Sequence, residues 1–75
     1  MRGQKMLVDY KKLWIKLIEN NITKPQLRQM ANLSPSTLTK LNKNEYVSMD
    51  VLTRICNILD CDFGDIVEVK KQAIN

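Results

Sequence analysis

The feature that most constrains this chain is a repeated way of starting a helix. Five times, a residue able to cap a helix N-terminus is preceded by an apolar side chain and followed four positions later by another. Such a flanking pair is a hydrophobic staple, which fixes the angle at which the backbone enters the helix. Asp9 lies between Val8 and Leu13, Thr23 between Ile22 and Leu27, and Ser34 between Leu33 and Leu38. Ser48 lies between Val47 and Leu52, and Asp62 between Cys61 and Ile66. Gln26, three residues after Thr23, completes a capping box. Pro25 falls in a first turn and Pro35 at a first helical position, where a missing N–H costs little.

Apolar periodicity follows each start. Tyr10, Leu13, Trp14, Leu17 and Ile18 form one stripe, which stops at Asn20-Asn21. Leu27, Met30 and Ala31 give the inner face of a second helix, over about Lys24–Ala31, and Leu38 and Leu41 that of a third, over Pro35–Asn42. Val51, Leu52, Ile55, Cys56 and Leu59 mark a fourth, and Phe63, Ile66 and Val67 suit a short fifth. Gly64 weakens the fifth, and the alternation Val67-Glu68-Val69-Lys70 also fits a brief extended tail. The expected fold is all-α: a compact bundle of five short helices whose brief connections force steep crossings. Residues 1–8 are expected as an N-terminal arm, 9–69 as the folded domain and 70–75 as a C-terminal tail.

Seventy-five residues hold one modest core, and a deep active-site pocket would consume much of it. The chain has no histidine, and no carboxylate pair, phosphate loop or activated nucleophile stands out, so an enzyme is disfavoured. Two cysteines without a histidine or a third thiol cannot complete a zinc site. Cys56 reads as a small apolar core residue and Cys61 as lining the turn that follows. The N-terminal stretch lacks an apolar signal core and no run reaches membrane-spanning length, so a cytoplasmic location is expected. The net charge of +4 is unevenly spread: residues 1–43 carry +7 and residues 44–75 carry −3. A polyanion would be drawn to the first part, although solvated helix faces explain such a charge equally well.

The second and third helices are joined by Asn32-Leu33-Ser34, the spacing of a helix-turn-helix. Asn32 suits the left-handed backbone such a turn requires, Leu33 plugs the core and Ser34 caps the next helix. Pro35, Ser36, Thr37, Thr39 and Lys40 then leave the third helix away from Leu38 and Leu41. Hydroxyls donate to or accept from base edges in a major groove, a threonine methyl meets thymine methyls, and Lys40 reaches phosphate. Lys24 and Lys43 would flank the groove at backbone height. A run of serines and threonines is also simply a good helix cap; its place in this spacing, on the basic part of the chain, is what favours duplex DNA.

From Val8 to Val69 the chain resembles the Cro/C1-type (XRE) helix-turn-helix regulators, and most closely a group of very short members. The resemblance rests on Asp9-Tyr10-Lys11-Lys12-Leu13-Trp14, on Leu33 through Leu41, on Val47-Ser48, and on Ile55 through Val67. It implies a five-helix lambda repressor-like fold and operator binding, commonly as a homodimer on a partly palindromic site. It also implies base contacts by Pro35, Ser36, Thr37 and Thr39, with phosphate contacts by Lys24, Lys40 and Lys43. This chain departs from the family pattern at three positions. Arg28 replaces a small residue, and is expected either to lean toward phosphate or to bury its stem with its head in water. Asn32 replaces a turn glycine, and Pro35 replaces a long polar base-reader. The expected function is a transcriptional regulator, in particular a repressor, working without cofactor or small-molecule ligand. The competing reading is a protein-interaction module of the same fold, such as an antitoxin or accessory factor. The dimer surface is expected at the fifth helix and the tail Val67–Ile74.

Overall fold

The computed structural model describes residues 4–73. Strand β1 (Gln4–Asp9) leads into α1 (Lys11–Glu19), α2 (Lys24–Met30), α3 (Pro35–Asn42) and α4 (Met49–Leu59). A single 3-10 turn (Phe63–Asp65) follows, and strand β2 (Glu68–Ala73) ends the described chain. The helix-turn-helix all-α fold holds, with four α-helices rather than five among the described residues.

The local chemistry of the helix starts explains the body of the fold. Thr23 accepts from the backbone N–H of Gln26 at 3.2 Å while the Gln26 side chain accepts from the N–H of Thr23 at 2.9 Å. Ser34 and Ser48 accept from the N–H groups of Thr37 and Val51 at 3.2 and 3.1 Å. Asp9 works one residue earlier than expected. It ends β1, its carboxylate accepts from the N–H of Lys11 at 2.7 Å, and Tyr10 takes the cap position. That N–H bond, helped by Lys70, lowers the Asp9 carboxyl below its usual range. This contribution to stability is therefore present at neutral pH and is lost on acidification through the lowered value.

The expected fifth helix closes after one turn. Asp62 and Asp65 form a reciprocal capping box, with the Asp62 N–H donating to Asp65 at 2.9 Å. Ile66 then enters the core and the chain extends. The parts of the expected arm and tail that are described, residues 4–8 and 70–73, lie in strands: β1 and β2 pair antiparallel from Gln4↔Ala73 to Asp9↔Glu68. Residues 1–3 and 74–75, Ile74 of the expected dimer surface included, lie outside the described residues. An Asp9–Lys70 ion pair at 3.2 Å links the two strands near the body.

Leu13, Leu17, Leu27, Ala31, Leu33, Leu41, Val51, Leu52, Ile55, Cys56 and Ile66 fill the core with Tyr10. Ile18 and Met30 do not join them. They are 75% and 54% exposed, because a stripe read by period alone is wider than the side a short helix can bury. Cys56 is buried and Cys61 half-buried, both as free thiols. Burial first, and the neighbouring Cys61 second, push the Cys56 thiol up to about 11. The folded state thus keeps its proton longer than the unfolded one, and this contribution to stability declines as pH rises from the ordinary thiol range towards 11.

Tyr10 is the joint between helices and ribbon. Its hydroxyl donates to the Glu45 carbonyl at 2.7 Å, and its N–H donates to the Asn44 side chain at 3.1 Å. Asn44 itself sits at φ 57°, in the left-handed region. Asn44→Ala should lose both the bond and the tolerated backbone, lowering unfolding free energy by about 2 kcal/mol. Asn44→Gly should lose only the bond and cost about 1 kcal/mol. Urea titration separates the two, and equal losses would show that the backbone conformation at this position carries no energy.

Candidate nucleic-acid interface

The turn between α2 and α3 has the geometry that the Asn32-Leu33-Ser34 spacing predicts. Asn32 is left-handed at φ 55°, and Leu33 is buried. The N–H groups of Asn32 and Leu33 return to the carbonyls of Gln29 and Arg28 at 3.2 and 2.8 Å. Two arginines secure the outside of this elbow. Arg54 of α4 donates to the carbonyls of Ala31 and Asn32 at 3.0 and 2.8 Å and pairs with Asp50 at 3.0 Å. Arg28 is half-buried beside the turn. Its guanidinium donates to the Leu33 carbonyl at a long 3.4 Å, on the C-terminal side of α2. Arg54 escaped the sequence reading because its partners lie on another element, some twenty residues away.

Helix α3 presents its candidate residues on one side. Leu41 is fully buried beneath it and Leu38 half-buried, whereas Pro35, Ser36, Thr39 and Lys40 are exposed. Thr37 is half-buried at the edge of that surface, and Lys43 stands exposed just past the helix.

The hydroxyls are not idle. Ser34 Oγ lies 3.0 Å from Ser36 Oγ and 2.9 Å from Thr37 Oγ1, besides accepting from the Thr37 N–H. One hydroxyl offers one hydrogen and two lone pairs. Ser34 must therefore give its hydrogen to one neighbour and accept from the other. Only one of Ser36 and Thr37 is left with a hydrogen to offer a base. Thr39 donates to the Pro35 carbonyl at 3.1 Å, so toward DNA it presents lone pairs and a methyl group.

Lys24 is not a free-swinging cation. Its ammonium donates to Asn42 Oδ1 at 2.7 Å and sits 4.0 Å from the centroid of the Trp14 ring. The start of α2 is thereby tied to the end of α3. In the sequence Asn42 is only the last residue of the third helix and Trp14 only one member of an apolar stripe; neither residue's neighbours reveal its partner. Among the described residues there is no cluster able to hold a metal ion, and no helix is long and apolar enough to cross a membrane.

Residues 12–72 match the family model of the Cro/C1-type HTH DNA-binding domain. A crystal structure of the transcriptional regulator VanUg, form II, is similar at a TM-score of 0.88 with 47% sequence identity. That alignment covers 96% of this chain and 93% of the other. No curated protein matches the sequence.

Proposed function

The chain belongs to the Cro/C1-type helix-turn-helix DNA-binding domain family, and from that premise we propose that it is a sequence-specific transcriptional regulator acting as a repressor. The observation that carries this reading is the exposed side of α3. There Pro35, Ser36, Thr39 and Lys40 stand out from a helix seated on Leu41, with Thr37 at their edge. In this reading Ser36, Thr37 and Thr39 meet base edges and Pro35 packs against the groove, while Lys24, Lys40 and Lys43 meet phosphate. Blocking a promoter needs only occupancy, so no ligand or cofactor enters the mechanism, and the protein works on DNA in the cytoplasm. The similarity to a transcriptional regulator over nearly the whole chain supports the same role.

Selection of bound duplexes from a random pool tests binding, sequence preference and half-site spacing together. A single recurring motif is expected, with two half-sites about one helical turn apart. Affinity for the recovered duplex should fall with salt along a log–log slope near −0.9 per phosphate neutralised. Absence of any duplex binding at low salt would sink the proposal.

One helix-turn-helix reads few base pairs, so the working unit in this proposal is a homodimer. Residues 9–69 are the DNA-binding body, and the ribbon, where Leu7 and Val69 are exposed, is the pairing surface. A monomer by analytical ultracentrifugation, both free and on the recovered duplex, would defeat the dimer. A protein-interaction module of the same fold is the second reading. It draws on Ile15 and Ile18, both exposed on the outer side of α1. A stoichiometric protein complex indifferent to Lys40→Glu would favour it.

A further inference from the structure

Lys24, Asn42 and Trp14 come from three helices and meet at one point. The ammonium of Lys24 carries three N–H donors and no acceptor. One donor goes to Asn42 Oδ1 at 2.7 Å, and the ammonium rests on the Trp14 ring at 4.0 Å. At least one N–H remains directed to solvent. Because lysine can only donate, the oxygen of Asn42 must face it, which turns the Asn42 amide NH2 away. Both residues are exposed, so the spare hydrogens of Lys24 and the NH2 of Asn42 form adjacent donors on the surface.

We propose that Lys24 and Asn42 together bind one backbone phosphate of the duplex, with Trp14 as the positioning residue that holds the ammonium in place. The inference rests on the DNA-binding reading above and deepens it. An exposed lysine ordinarily loses rotamer freedom when it takes hold of a phosphate. Here the aromatic face and the amide oxygen have already ordered the side chain, so much of that cost is met within the folded protein. A phosphodiester oxygen is the fitting ligand: it accepts only, it is anionic, and it can take one N–H from each residue. The bond from Lys24 to Asn42 also ties the phosphate contact to the end of the helix that meets the bases. A phosphate held there sets the register of α3 in the groove.

The test is a double-mutant cycle on the full chain, titrated with the duplex recovered by selection at several salt concentrations. Lys24→Gln and Asn42→Ala should each weaken binding by about tenfold, the worth of a charge-assisted hydrogen bond. The double variant should be hardly weaker than either single one, because both remove the same contact. Both single variants should also flatten the salt slope by about 1, because each lets go of the same phosphate. Trp14 is the only tryptophan, so its emission reports on the ammonium. Emission should change on duplex binding in the wild type and not in Lys24→Gln. Asn42 is exposed at the end of its helix, so its variant tests the clamp without disturbing the fold. Full affinity in Asn42→Ala, or multiplicative effects in the cycle, would overturn the clamp while leaving DNA binding intact. A wild type that binds no duplex would overturn both.

Discussion

Leu41→Ala should lower the unfolding free energy by about 2–5 kcal/mol, the usual range for deleting a buried leucine side chain. The position is unusually exposed to such a loss because Leu41 is the one fully buried side chain of α3, whereas α4 contributes four to the core. A domain of this length is stable by about 4–11 kcal/mol, so the change removes a large share of the total. At about 4–8 °C per kcal/mol, the melting temperature should drop by at least ~8 °C. Thr39→Ala, on the exposed side of the same helix, should move it by only a few degrees. A drop of less than ~4 °C for Leu41→Ala, in a circular-dichroism melt, would mean that α3 is anchored elsewhere.

The second large effect concerns what that helix reads. Thr37→Ala should relax base preference by about 1–3 kcal/mol if its hydroxyl or methyl makes a good base contact. It should cost little stability, because the backbone N–H of Thr37, which the substitution keeps, still donates to the Ser34 cap. Lys40→Ala should instead weaken every sequence alike and flatten the salt slope by about 1. The hydroxyl arrangement around Ser34 sharpens the comparison. Removing Thr37 Oγ1 leaves Ser34 only Ser36 as a hydroxyl partner, so Ser36→Ala must be measured beside it. Thr37→Ser keeps the hydroxyl and drops the methyl, which separates a hydrogen bond from a thymine contact. If Thr37→Ala and Lys40→Ala weaken all duplexes equally, α3 holds the backbone and the sequence is read through DNA shape.

What could be read from the sequence was local. The caps at Thr23, Ser34 and Ser48, the left-handed Asn32 and the span of α3 each depend on residues within four positions, and each stands as expected. The ribbon was harder because β1 gains its structure only from β2, across the entire helical body. The alternation at Val67–Lys70 hinted at one strand but named no partner. The candidate surface divides in the same way. The exposure of Ser36, Thr39 and Lys40 follows from helical period, whereas the anchoring of Lys24 by Trp14 and Asn42 and the hold of Arg54 on the turn arise from tertiary neighbours. Helical period also misplaced Ile18 and Met30, since it gives the direction of an apolar face and not its breadth.

The antiparallel pairing of β1 with β2 bears on the order of assembly. The elements from α1 to the 3-10 turn follow one another through short links, so most of the helical body can collapse from neighbours in sequence. The ribbon must wait for segments from opposite ends of that body to meet, which carries the largest loop-closure cost in the molecule. On a growing chain, β1 emerges first and stays without its partner until β2 has been made. The helices are thus built before the clasp that joins their two ends, and a ribbon that forms last is also free to open first.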